Sequence, residues 1–283
     1  MKHLELLEEL VTANRILANE RVLDSFGHVS IRNPDDPERF FLSRARAPAL
    51  IDVDDIMEFT LDGRSVGAEP GKPYSERFIH AGIYEARPDV NAVVHNHSPS
   101  VIPFSVTSMK LRPLMHMCAP IGDDIPTWDI RTKFGDGTNL LVTNLEMGRD
   151  LASCLGGRTV TLMRGHGSTV VGRSLREVVF TSIYMEMNAD MQIKAMSMGE
   201  VEYLSSEEIA AITRGRAGFT FERGWENWCR RVGRPYVPGQ WEFGEGYSRT
   251  DPKGLSGRAW RRAAVRVPAS RPRPRRSSGE RGF

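Results

Sequence analysis

The 283 residues are 40% hydrophobic and 26% charged, a balance that excludes a low-complexity or fibrous chain and provides for a sizeable core. The formal net charge of +2 is unevenly spread: residues 251–283 hold ten Lys and Arg against Asp251 and Glu280, net +8, which leaves −6 for residues 1–250. Cys118, Cys154 and Cys229 form no CxxC pair, which argues against a disulfide framework or a thiolate zinc site.

Residues 3–20 place Leu4, Leu7, Val11 and Leu17 at helical spacing, so the chain opens on an amphipathic helix. Glu5, Glu8 and Glu9 interrupt the apolar run that a signal peptide needs. No later stretch approaches the roughly 20 apolar residues that span a bilayer. A cytoplasmic protein without membrane contact is therefore expected. SFGHVSIR at 25–32 reads as a strand, NPDDPE at 33–38 as a turn and RFFLS at 39–43 as the returning strand of a hairpin.

Residues 51–66 offer a short turn or helix, an apolar run and an Asp62-Gly63 turn. A helix is expected from the Pro73-Tyr74-Ser75-Glu76 start to about Arg87, where Arg87-Pro88 stops it. Val90 to His97 reads as a buried strand and Pro99 to Thr107 as the start of another helix. Residues 140–142 read as a strand, Leu145 to Leu155 as a helix, and Thr159 to Met163 as a strand that resumes at Val170-Val171. Ser174 caps a long helix ending at Gly199, and LSSEEIAAI at 204–212 is a short capped one. This interleaving makes the fold class mixed α/β. Residues 201–245 read as a packed extension of a 1–200 domain. The basic, proline-rich tail 246–283 cannot offset its ordering entropy by burial, so disorder is expected there and a nucleic-acid role is not.

VVHNHSP at 93–99 carries the chemistry. On a strand, side chains two apart share a face, so His95 and His97 can grip one metal ion. RGHGS at 164–168 adds His166 between two glycines, which allow close approach. Three imidazoles with open positions suit a catalytic site and do not discriminate among first-row divalent metals. Glu76 is the nearest upstream carboxylate, and its spacing alone fits a fourth ligand, a general acid/base or a favourable charge at a helix start.

The run SERFIHAGIYEARPDVNAVVHNHSPS at 75–100, with RGHG at 164–167 and the helix at 175–196, resembles the class II aldolase/adducin family over about residues 1–200. The resemblance implies a three-layer α/β/α domain on a mostly antiparallel sheet, assembled as a homotetramer. It also implies one divalent ion per subunit on His95, His97 and His166, with Glu76 as acid/base. Zn2+, Mn2+ or Mg2+ is the expected ion, with Fe2+ ranked after them.

Sugar-phosphate members of the family cradle phosphate with a Gly-Asn turn and a Thr-Pro-Ser/Thr-Gly stretch. Gly27-His28 and Ser43-Arg44-Ala45-Arg46 stand in those places here. Arginine forks suit carboxylates, so Arg44 or Arg46, with His28, Ser43 and Ser75, is expected to receive a small carboxylate substrate. FGHVSIRNPDDPERFFLSRARAP at 26–48 and LRPLMHM at 111–117 are similar to a decarboxylase branch acting in aromatic-compound degradation, with His116 as a further pocket candidate. In that branch CO2 leaves a hydroxy- or oxo-carboxylate and the metal holds the enolate. The alternatives are aldol cleavage of a hydroxy-oxo acid or sugar phosphate, and iron-dependent oxygenation on the same fold.

Overall fold

The computed structural model describes residues 3–67, 70–215 and 219–238. The tail expected at 246–283 and the end of the extension lie outside them. In chain order the strands are β1 His28–Arg32, β2 Arg39–Ser43, β3 Ile56–Thr60, β4 Ser65–Val66, β5 Ala92–Asn96, β6 Thr127–Trp128, β7 Val160–Met163 and β8 Gly167–Gly172. The helices are α1 Leu4–Asn19, α2 Arg77–Ala86, α3 Ile102–Ser105, α4 Arg131–Phe134, α5 Leu145–Leu155, α6 Leu175–Met198, α7 Ser206–Gly215 and α8 Phe219–Arg231.

The strands form a single sheet in the order β4-β3-β2-β1-β5-β8-β7-β6. Every pairing is antiparallel except β6 with β7. Alternation along the strands sends residues to two cores. Val29, Ile31, Phe41, Ala92, Val94 and Val170 pack under α1, α6 and α8. Phe40, Leu42, Phe59, Val93 and Val171 pack under α2 and α5 on the other face. This is the three-layer, mostly antiparallel α/β arrangement expected. No helix among the described residues is long and apolar enough to cross a membrane.

α2 and α5 meet backbone to backbone. A Cβ on Gly82 would lie 2.4 Å from the Gly148 carbonyl carbon, and one on Gly148 would lie 2.0 Å from the Phe78 oxygen. Only glycine fits at both positions.

α6 reaches further than its hydrophobic spacing shows. Its buried amides clasp an irregular segment: Asn188 Oδ1 accepts from the Leu114 amide at 2.8 Å, and Gln192 Nε2 donates to the Lys110 carbonyl at 2.7 Å. α8 closes over α1 and α6 with Trp225 and Trp228, while buried Arg176 of α6 pairs with Glu9 at 3.0 Å and with Glu222 of α8.

Three expected elements differ. Residues 140–142 form no strand, because Leu140 takes φ 66°, which bends the chain out of the extended region, and β6 at Thr127–Trp128 joins the sheet at its edge. The helix expected from Pro99 is confined to Ile102–Ser105. The strand expected from residue 25 begins at His28, because Asp24 Oδ1 accepts from the Phe26 and Gly27 amides at 2.8 and 3.1 Å and turns the chain there.

Candidate active site

Two adjacent strands place imidazoles on the α2 face. His28 of β1 is paired with His95 of β5, and their rings lie 5.1 Å apart. His97 follows β5, and His166 occupies the turn between β7 and β8. That turn sits against β5 because Gly167 lacks a side chain: a Cβ there would be 2.1 Å from the Asn96 oxygen. His95, His97 and His166 each present a ligand atom within 4.8 Å of the others.

The hydrogen bonds settle which nitrogens face inward. His95 Nδ1 lies 3.2 Å from the Ser168 carbonyl, and His97 Nδ1 lies 3.1 Å from both oxygens of Asp24. Both partners are acceptors, so both Nδ1 atoms carry the proton and both Nε2 atoms are left with lone pairs. Those two Nε2 atoms are 3.2 Å apart. Nitrogens bound to one ion at about 2.0–2.1 Å would have this spacing, and a cation between them removes the lone-pair repulsion. The donor set therefore fits a divalent metal. Burial, with His97 beside it, pushes His166 down to about 4, and burial holds His95 well below its ordinary range, so both are neutral donors near pH 7.

Glu76 caps α2, with Oε2 3.8 Å from His95 Nε2 and 3.7 Å from His166 Nε2. Burial raises its carboxyl to about 7, although the Val142 amide, donating to Oε1 at 3.1 Å, works the other way. Raised this far, the carboxyl holds its proton closer to neutrality than an ordinary glutamate does, as a general acid needs.

Above these groups opens a cavity of about 720 Å³. Its wall includes Arg46, Lys72, Tyr74, Ser75, Glu76, His97 and His166. Arg46 reaches it while bonded to the buried Asp55 at 2.6 Å. Arg44 spends its Nε on the other Asp55 oxygen at 2.6 Å and is not among the lining residues, so of the two arginines that the sequence offered as alternatives it is Arg46 that reaches the cavity. Ser43 is buried and is not among the lining residues. His116 belongs elsewhere: it begins a 3-10 turn and lines a second cavity of about 820 Å³ with Phe180, Tyr184 and Trp228.

Four contributors escaped the sequence. Asp24 orients His97, and its only signal is an Asp-x-x-Gly turn before a strand. Lys72 supplies a second cation, Tyr74 stacks 4.4 Å from the His28 ring, and residues 139–141 form the far wall.

Residues 8–193 match the family described as Class II Aldolase and Adducin N-terminal domain. The chain belongs to the class II aldolase/adducin family. Within it, the chain is 36% identical over 245 residues to the decarboxylase tropJ of Talaromyces stipitatus, covering 78% of this chain and 92% of that one. It is 27% identical to the 3,4-dihydroxyphthalate decarboxylase of Arthrobacter keyseri, covering 82% and 96%. The L-fuculose 1-phosphate aldolase of Glaciozyma antarctica PI12 shares the fold, with TM-score 0.68 and 22% identity over 82% of this chain and 92% of that one. Family relatives named as decarboxylases and as aldolases are both lyases, and the chain is an enzyme of that type.

Proposed function

We propose that this family member is a divalent-metal-dependent decarboxylase of a hydroxy- or oxo-carboxylic acid of the aromatic-degradation type. The observation that carries the reading is the placement of Glu76, a buried carboxyl raised to about 7, less than 4 Å from two of three imidazoles that present ligand atoms to one another. Near-full-length similarity to relatives named as decarboxylases supports it.

Arg46 and Lys72 would seat the substrate carboxylates on the cavity wall. A divalent ion on His95, His97 and His166, with zinc, manganese and magnesium as candidates, would supply Lewis-acid stabilisation of charge developing on oxygen. When the carbon–carbon bond breaks and CO2 departs, the electron pair remains on the substrate carbon. Glu76 donates its proton to that carbon and is reprotonated from solvent. Tyr74 and Leu140 line the cavity beside these groups and add apolar surface next to the carbanionic centre.

We assign catalysis to residues 1–200, with 201–245 as a C-terminal extension packed on that domain, and read the protein as a cytoplasmic homotetramer, which light scattering on a sizing column would check. The deciding assay is CO2 release from 3,4-dihydroxyphthalate by the protein reconstituted with Mn2+ or Zn2+, beside His97→Ala. Release that disappears in the variant together with bound metal is expected. Metal-replete protein that releases an aldehyde from a hydroxy-oxo acid, and no CO2, would overturn the decarboxylase reading.

A further inference from the structure

β1 carries an imidazole with one nitrogen that the fold does not use. His28 is 1% exposed; its Nδ1 lies 2.7 Å from His80 Nε2, and its Nε2 is buried without a hydrogen-bond partner. From His80 the contacts continue across the α2 face. His80 Nδ1 is 2.6 Å from Ser30 Oγ, Ser30 Oγ is 2.7 Å from the Tyr84 hydroxyl, and that hydroxyl is 3.2 Å from the Asn91 carbonyl. His80, Ser30 and Tyr84 are all buried.

The carbonyl at the end gives every bond in this row a direction. A carbonyl only accepts, so Tyr84 donates to it. A phenol has one proton, so Ser30 must donate to Tyr84. With its own proton committed, Ser30 accepts from His80 Nδ1–H. Neutral His80 then presents a lone pair at Nε2, to which His28 donates Nδ1–H. Neutral His28 is left with a lone pair at Nε2. Burial, first of all, keeps both rings uncharged. A ring nitrogen of His28 lies within 4.8 Å of ligand atoms on Glu76 and His95, so this imidazole adjoins the groups assigned to the reaction.

We propose that His28 Nε2 accepts the hydrogen bond of a substrate hydroxyl, the phenolic or enolic O–H beside the departing carboxylate, and that His80, Ser30 and Tyr84 are positioning residues that hold it in the accepting tautomer. The inference rests on the decarboxylase reading only for the acid half of the substrate. An ether or a deoxy analogue has no proton to give, and it would leave the buried acceptor unpaired. The site therefore selects for hydroxy acids.

The test uses 15N-imidazole spectra of the zinc-loaded full chain, whose seven histidines are assigned with the help of His28→Phe and His80→Gln. The expected spectrum shows His28 protonated at Nδ1 and bare at Nε2, with Nε2 shifting on addition of salicylate and not of 2-methoxybenzoate. Salicylate should bind about tenfold more tightly than the ether, the worth of one hydrogen bond. His28→Phe should erase that preference and Tyr84→Phe should narrow it, both with zinc stoichiometry unchanged. An Nε2 that carries a proton, ligates zinc or is unmoved by salicylate overturns the proposal, as does a preference that persists in His28→Phe. Failure to release CO2 from 3,4-dihydroxyphthalate, with the salicylate response intact, would sink the reaction and leave hydroxyl recognition standing.

Discussion

Glu76 shows how much of its chemistry comes from its seat. An exposed glutamate would be ionised at neutral pH, but burial beside His95 and His166 raises the Glu76 carboxyl to about 7. Glu76→Gln preserves shape and one hydrogen-bond acceptor and removes the transferable proton. It should lower kcat by about 10²–10⁴-fold while metal content, read by atomic emission, is retained. Loss of metal along with activity would make Glu76 a ligand. Asp24 acts one step removed, through His97 Nδ1. Asp24→Asn should weaken metal binding by roughly 10–100-fold, which isothermal titration would measure. The histidines were legible because strand alternation and the Gly-His-Gly turn are local signals. The fate of Arg44 and Arg46 was not: their partner Asp55 lies in another element, and competition between a substrate and an internal carboxylate is invisible to spacing.

At the scale of elements, the amphipathic and capped segments were readable. α6 starts at Ser174, whose hydroxyl accepts from the Glu177 amide at 3.2 Å, and α7 has the reciprocal Ser205 and Glu208 bonds of a capping box. Leu140 to Val142 misled because three apolar residues fit a strand by periodicity, whereas their backbone serves the site by donating the Val142 amide to Glu76. Tertiary demand overrode local preference. The extension is held by a buried charge, a device that sequence patterns do not reveal. Arg176→Ala would remove a buried cation paired with Glu9 and Glu222 and should cost about 3–5 kcal/mol. Urea unfolding followed by tryptophan fluorescence would record it, and a loss below 1 kcal/mol would show that Trp225 and Trp228 carry the contact alone.

For the whole molecule, the histidine cluster should govern acid stability when metal is absent. His28 and His95 sit well below 6.5, and His80 and His166 are pushed to about 3 and about 4, chiefly by burial. The fold keeps them neutral where the unfolded chain takes protons, so their contribution is complete above pH 6.5 and is lost as pH falls toward the lower values. Glu76 runs oppositely: raised from 4.5 to about 7, it favours the fold below 4.5 and withdraws that support as pH climbs through 7. Between pH 6.5 and 5 the four histidines outweigh the one carboxyl by three protons, a limiting slope of ~4 kcal/mol per pH unit. Chelator-treated protein should therefore melt at sharply lower temperature at pH 5.5 than at pH 7, and a flat profile would mean that the imidazoles are charged in the fold. The glycine contact between α2 and α5 has a longer reach than packing. Glu76 stands at the head of one helix, and the amide that braces it lies just ahead of the other, so the spacing of the two backbones governs how that amide meets the carboxyl. A methyl group at Gly148 would meet the Phe78 backbone oxygen at 2.0 Å and force the two helices apart, and with them the Val142 amide from Glu76, although neither glycine lines the cavity.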